Sequence, residues 1–405
     1  MMKSWKRYNP ISIEEKKAAN RVLDSGCLSS FIGGWGDDFH GGPEIKRFEN
    51  EISQYFGVKH AVTFNSLTSG LIAAVGAIGI EPGDEVIVSP WTMSATATAI
   101  VIWGGIPVFA DIEKEYYGLD PEIVEQKVNE NTKAIMVTDI FGHGSKLSEL
   151  QSIAQKYKLK LIEDVAQAPG IPYQGKLCGT WGDIGGFSLN YHKHIHTGEG
   201  GFCITNDDDL ALRMKMIRNH AEASIVNSPI ENGLNMVGYN FRMGELEAAI
   251  GTEQLKKLSN LLKINQHKSN IINSILSQEP DFKVANVQHE SAHAYYVLPI
   301  TLLNFSKLRD KWINDLTDQG VPGLVKGYVN VHRLPMFENK LAYGKGFPWS
   351  YAKTDPDYGI GACPVVEELK DKSFVGLLIS MFDINDEDCR WIATTMIDTW
   401  KALKS

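Results

Sequence analysis

Cysteine is scarce in this 405-residue chain. The five present (Cys27, Cys178, Cys203, Cys363 and Cys389) are scattered, odd in number and never in a C-x-x-C pair. That spacing argues against a disulfide framework or a zinc ribbon and fits reduced thiols in a cytoplasm. Long apolar runs are also lacking. None reaches the ~18 residues needed to span a bilayer, so no membrane partner is expected. The opening MMKSWKRYNPISIEEKKAAN is basic but has no apolar h-region, and no signal peptide is read there. Positive charge is not in excess: 40 Lys and Arg against 49 Asp and Glu give a formal net charge of −9. Nucleic acid is therefore not an expected partner. An anionic ligand would need a local group of cations or helix N-termini acting against the overall field. Internal repeats and low-complexity tracts are absent as well.

What remains is an ordinary soluble composition, 43% apolar and 22% charged, long enough for one large domain and a smaller one. Ser12 caps a short amphipathic helix running to Asp24. Gly26 to Gly42 is a glycine-rich loop with aromatics, and loops of this kind are usually functional or contact-forming. Pro43 opens a helix whose Ile45, Phe48, Ile52 and Phe56 recur at helical spacing, and Gly57 ends it. From His60 the pattern becomes strands (61–65, 85–89, 107–111, 133–140, 158–164) alternating with helical stretches. That order predicts an α/β fold, a mostly parallel sheet flanked by helices on both faces. A helix is expected over 206–223, and another through Leu255 to Ile275. Beyond about residue 265 strands at FKVANV, HAYYVLPITLL and GVPGLVKGYVNVH mix with helices, and an amphipathic helix runs from Asp383 to Lys404. This predicts a smaller α+β C-terminal domain.

The most informative stretch runs from Lys158 to Thr205. A buried strand stops at Glu163-Asp164, and a second apolar strand carries Ser188 near its end. A polar loop with one lysine, Lys193, follows, then the turn Thr197-Gly198-Glu199-Gly200-Gly201 and a third strand. Open α/β sheets place ligands at such strand ends. Each piece alone has a plainer explanation. A loop lysine is usually a solvated charge, GEGG is a tight turn, and Glu-Asp after a strand is a helix cap with its first-turn acid. The histidines at 192, 194 and 196 have no C-x-x-C or H-x-x-x-H spacing, so no metal is assigned. Together, an aspartate able to hold a pyridinium nitrogen and a lysine able to join an aldehyde are what pyridoxal phosphate (PLP) requires of a protein.

EDVAQA, GDIGGFSL and the spacing K-x-x-x-TGEGG resemble the DegT/StrS-type sugar aminotransferases, a fold type I branch of the aspartate aminotransferase superfamily. The resemblance covers nearly the whole chain and is strongest between residues 43 and 255. It implies an N-terminal helix and active-site loop (1–42), a large PLP-binding domain (43–264) and a small C-terminal domain (265–405). It makes Lys193 and Asp164 the catalytic pair. Ser66, Leu67, Thr68 and Ser188 would hold the cofactor phosphate, with Leu67 standing where relatives carry glycine. Gln167 would bond the ring's 3-oxygen. Met93 would cover the ring, with Trp91 as the fallback. Asn240, in GYN-x-R-M, would reach the neighbouring subunit's phosphate, which implies a homodimer with shared sites.

Arg242 would bind the donor carboxylate, or else pair with Glu245 three residues on. Trp35, Phe31 and His40 of the glycine-rich loop, and His143, His192, His194 and His196, are candidates for substrate contact. Lys326 and Arg333 are candidates for a diphosphate. The implied reaction is ping-pong transfer of an amino group from L-glutamate or L-glutamine to a keto sugar, nucleotide-linked, in amino-sugar or surface-polysaccharide biosynthesis, with PMP as the intermediate cofactor form. A dehydratase branch carries histidine at the lysine's register, so Lys193 favours transamination. That dehydratase, a non-catalytic PLP-binding regulator and an enzyme acting on a cyclitol or other free ketone are the alternatives.

Overall fold

The computed structural model describes residues 4–224, 233 and 235–405. Local signals place the first elements. Helix α1 (Ile13–Ser25) starts at Ser12, whose side chain and Glu15 form a reciprocal capping box. Helix α2 (Pro43–Phe56) has proline in its first turn and stops at Gly57, which is left-handed at φ 65°. Strand and helix then alternate: β1 (His60–Phe64), α3 (Leu67–Ala77), β2 (Glu85–Val88), α4 (Ser94–Ile102), β3 (Ile106–Phe109), α5 (Pro121–Lys127), β4 (Thr132–Thr138), α6 (Leu147–Tyr157) and β5 (Lys160–Asp164). A short hairpin, β6 (Pro172–Tyr173) and β7 (Lys176–Leu177), precedes β8 (Ile184–Ser188), β9 (Gly201–Thr205) and α7 (Asp208–Arg218).

The sheet order is β1-β9-β8-β5-β4-β2-β3. Strand β9 runs antiparallel to both neighbours, and the other adjacent pairs are parallel. Its strands are buried on both faces, which explains their continuous apolar character. On one face Leu71, Ala74, Ile100, Met214 and Ile217 pack from α3, α4 and α7. On the other, Ile45, Phe48, Leu150 and Ile153 pack from α2 and α6, joined by Leu255 and Leu258 of helix α8 (Glu245–Leu276). Register sets Thr138 opposite Asp164, and Asp164 opposite Gly186. The carboxyl ends of β4, β5 and β8 therefore open on one crevice.

The C-terminal part holds β10 (Phe282–Val284), β11 (Leu298–Leu302), α9 (Arg309–Asp318) and β12 (Leu324–Val325). Short helices α10 (Pro335–Glu338) and α11 (Pro364–Glu368), strand β13 (Phe374–Leu377) and α12 (Asp386–Lys404) complete it. Its antiparallel sheet, β10-β11-β13-β12, closes over a core containing Phe282, Trp312 and Trp400. The expected α/β fold with a smaller C-terminal sheet domain is what the structure shows.

Four details differ from the sequence expectation. The proposed boundary at 264/265 falls inside α8, a 32-residue helix that serves both parts. Residues Val331 to Leu369 do not join the small sheet. Phe337, Trp349, Tyr358 and Val366 pack into the large-domain core, and the Tyr358 hydroxyl donates to the Pro107 carbonyl at 2.7 Å. The stretch GVPGLVKGYVNVH contributes strand only at Leu324–Val325, because Gly323 and Gly327 both take positive φ (70° and 75°). The helix expected over 206–223 ends at Arg218, beyond which His220 and Ala221 are left-handed.

Candidate active site

The crevice at the ends of β5 and β8 is a cavity of about 190 Å³, reached by residues from five parts of the chain. At its floor Asp164 is buried. Its Oδ2 accepts from the Thr96 hydroxyl at 2.8 Å, and its Oδ1 accepts from the Ala166 amide at 3.1 Å. Thr96 is itself bonded to Thr92, which accepts from Thr138, so a buried hydroxyl relay holds the carboxylate in place. Burial raises the Asp164 pKa, while these donors and the nearby Lys193 lower it. A buried carboxylate in this position is stabilised by a cation placed against it.

Lys193 extends from the loop after β8 into the same cavity, with its Nζ 4.3 Å from the centroid of the Tyr296 ring. Burial lowers its pKa to about 8, and Asp164 acts in the opposite direction. A far larger share of the amine is therefore uncharged near neutrality than for an ordinary lysine, as a nucleophile or proton carrier requires.

The opposite end of the cavity is an anion cradle. Ser66 precedes α3 in extended conformation and its Oγ accepts from the Ser69 amide at 3.1 Å. The amides of Leu67 and Thr68 are left as first-turn donors with no intrahelical carbonyl, at the positive end of the helix dipole. Leu67 replaces glycine without disturbing this turn, since its side chain is buried in the core over Gly186. The Gly-rich turn explains itself here: a Cβ on Gly201 would run into the backbone of Leu67 and Ser66. Ser188 at the end of β8 lines the cavity beside this cradle.

Gln167 also lines the cavity. Its Oε1 accepts from the Phe141 amide at 2.8 Å, which turns the Nε2 toward the Tyr328 hydroxyl at 3.2 Å. Met93 reaches the cavity with its side chain 58% exposed, whereas Trp91 is fully buried between Tyr117, Phe141 and Phe374. The fallback of Trp91 as ring cover is thus corrected: the indole is core, and its Nε1 donates to the Tyr328 carbonyl at 3.0 Å.

Several sequence candidates lie elsewhere. His143 is buried and stacked on Tyr116; its Nδ1 contacts the Gly144 carbonyl and its Nε2 accepts from the Gln288 amide. His194 points away from the cavity, its Nε2 on the Ala294 carbonyl at 2.9 Å. His192 does line the cavity, and burial lowers its pKa to about 4, so it stands neutral there. Trp35 packs on Phe39 and His40 away from the lining, and Phe31 lies under the guanidinium of Arg218.

Asn240 is exposed and outside this chain's own cavity. Arg242 does not pair with Glu245. Its Nε donates to Asn240 Oδ1 at 2.9 Å, while Glu245 accepts from the Gly42 and Glu44 amides at the start of α2. Lys326 and Arg333 are bound to Asp310 and Glu338. Among the described residues no group of three or more His, Cys, Asp or Glu side chains comes together as a metal site, and no helix is long and apolar enough to cross a membrane. Sequence reasoning missed Thr92, Thr96, Tyr296 and Tyr328. SPWTMSAT carried a signal for the threonines, two hydroxyls spaced i, i+4, but nothing local marked the tyrosines.

The residues present fit PLP: a carboxylate for a ring nitrogen, an amine of lowered pKa and a helix N-terminus for a phosphate, across one small cavity. Comparison with known proteins agrees. The model of the DegT/DnrJ/EryC1/StrS aminotransferase family matches residues 15–356. The chain is 35% identical over 345 residues to GDP-perosamine synthase of Vibrio cholerae, covering 85% of this chain and 89% of that protein. Among solved structures, DesV of S. venezuelae is similar with a TM-score of 0.80 at 26% identity, covering 96% of this chain and 94% of that one. NtdA from Bacillus subtilis, solved with bound PMP, has a TM-score of 0.77 at 24% identity over 96% and 82%, a likeness of fold. Members of the matching family are PLP-dependent transaminases acting on keto sugars with an amino donor. This chain belongs to the DegT/DnrJ/EryC1/StrS aminotransferase family.

Proposed function

We propose that the protein transfers an amino group from L-glutamate or L-glutamine to a nucleotide-linked keto sugar, alternating between the two substrates at one site, in the making of an amino sugar for a surface polysaccharide. One observation carries this reading: the uncharged-prone amine of Lys193 shares a small cavity with buried Asp164 and the free N-terminus of α3. When bound, PLP supplies an aldehyde and a ring that accepts electrons.

The chain's own residues do the rest. Asp164, fixed by Thr96 and the Ala166 amide, favours a protonated ring nitrogen opposite it. The Leu67 and Thr68 amides with the Ser66 and Ser188 hydroxyls would hold the cofactor phosphate. Lys193 would hold the cofactor's aldehyde, and its amine, with its lowered pKa, would take and return the proton at the substrate's α-carbon. Met93 lies over the open side and limits water. Neutral His192 can bond sugar hydroxyls without competing for the proton.

The same reading makes the protein a homodimer. Asn240 is exposed beside Arg242 and contributes nothing to its own chain's cavity, as expected of a residue that completes a neighbour's site. Incubation with PLP, glutamate or glutamine, and a panel of nucleotide-linked keto sugars, followed by mass spectrometry, tests the proposal. A product gaining an amine in place of the ketone is expected. Loss of water without gain of nitrogen, or amination only of free cyclitols, would overturn it.

A further inference from the structure

Hydrogen-bond accounting around Gln167 leads to a residue outside the motifs discussed so far. The amide of Gln167 has a fixed orientation, because the Phe141 N–H can only be met by its Oε1 (2.8 Å). Its Nε2 is therefore the donor to the Tyr328 hydroxyl at 3.2 Å, and the Tyr328 oxygen accepts. The Tyr296 hydroxyl touches the same oxygen. Burial, and then contact with Tyr328, push the Tyr296 phenol up; burial raises Tyr328 too, but its bond with Tyr296 acts to lower it.

Tyr328 thus receives a hydrogen bond from Gln167 and still owns one proton. Its side chain lines the cavity that holds Asp164, Gln167 and Lys193. A partly buried phenol gains by having its O–H met, and Tyr328 borders the cavity, where a ring oxygen would be an acceptor. The residue is also held firmly. Its carbonyl accepts from fully buried Trp91 at 3.0 Å, and Trp91 forms a β-bridge with Asn330 two residues on.

We propose that Tyr328 is a positioning residue whose hydroxyl donates a hydrogen bond to the anionic 3-oxygen of the cofactor ring, beside the Gln167 amide. This rests on the functional reading above, since it needs a pyridoxal-type ring over Asp164. The Tyr296–Tyr328 pair then connects the two sides of the site: the Tyr296 ring lies under the Lys193 amine and its hydroxyl interacts with that of Tyr328.

The test is a thermodynamic cycle between one side chain and one ligand atom. Cofactor-free wild type and Tyr328→Phe are titrated calorimetrically with pyridoxamine phosphate and with its 3-deoxy analogue. We expect the substitution to weaken pyridoxamine phosphate about tenfold or more, as for a bond to a charged acceptor, and to leave affinity for the deoxy analogue unchanged. In the PLP-loaded protein the pH titration of the visible band should move to higher pH in the variant. The lost donor stabilised the form with more negative charge on that oxygen.

Equal loss for both ligands would make Tyr328 merely structural, and no loss for either would send its proton elsewhere; both overturn the proposal. If the Phe variant does not fold, Tyr328→Met gives the same comparison. Failure of the wild type to bind pyridoxamine phosphate at all would instead bring down the functional reading itself, and this proposal with it.

Discussion

The two walls of the cavity are built differently. One comes from regular elements of the large sheet and its flanking helices: the end of β5 with Asp164, the start of α3 with Leu67 and Thr68, and the end of β8 with Ser188 and the Lys193 loop. The other comes from irregular chain more than a hundred residues later, Tyr296 at the edge of β11 and Tyr328 beyond β12. The first wall holds charge and the anion cradle. The second has aromatic faces and neutral hydroxyls. The reacting groups thus stand on the stiff sheet, and the groups that shape their surroundings stand on the part of the chain that joins the two domains.

The comparison can be broken from either side. Lys193→Ala on the first wall should have the largest effect: amino-sugar formation lost by at least ~10⁴-fold, with no visible band on adding PLP. Turnover surviving in that variant would move the chemistry off this wall. Asp164→Asn should keep the fold but lower kcat by roughly 10²–10³-fold, read from initial rates with saturating PLP.

Next come two fully buried tryptophans, one braced against the second wall and one remote from it. Trp91→Ala and Trp312→Ala should each cost about 3–5 kcal/mol in urea unfolding, the usual range for emptying a large aromatic site. Only Trp91→Ala should also change the visible spectrum, because Trp91 braces Tyr328 while Trp312 sits in the separate C-terminal core.

The pH dependence sharpens the first wall. In cofactor-free protein, modification of Lys193 by an amine-selective reagent should be half-maximal near pH 8 rather than 10.5. The sign follows from burial, which disfavours the charged amine and so makes the reactive form available at lower pH. Asp164→Asn, by removing the one neighbour that raises this pKa, should shift the midpoint lower still. The smallest effect is expected for Arg333→Ala. Its guanidinium is already bound to Glu338, and KM for a nucleotide sugar should change less than about threefold.

The asymmetry also explains what could be read from sequence. Asp164, Ser188, Lys193 and the Gly-rich turn were legible because strand ends, an anion-ready helix start and a close backbone approach all leave local marks. Helix α2 was legible to the residue, since proline and glycine punctuate both ends. Tyr296 and Tyr328 left no such mark. A tyrosine in an apolar run looks the same whether it fills a core or faces a ligand, and only the fold brings Tyr328 to Gln167. The histidines misled for a related reason. His194 meets the Ala294 carbonyl and His143 accepts from the Gln288 amide, partners that lie far away in sequence. The placement of 331–369 against the large sheet was equally hidden, because long-range packing by short irregular segments has no period.

Helix α8 carries a consequence of its own. At 32 residues it is about 48 Å long, and one face of it is shared by Leu255 and Leu258 under the large sheet and Ile272 and Leu276 under the small one. One residue added or deleted near its midpoint would rotate the far half by about 100° and turn one of those two apolar stripes toward water. Along this beam many substitutions can be absorbed, but its length in residues is locked, as a camshaft's lobes are locked to one angle.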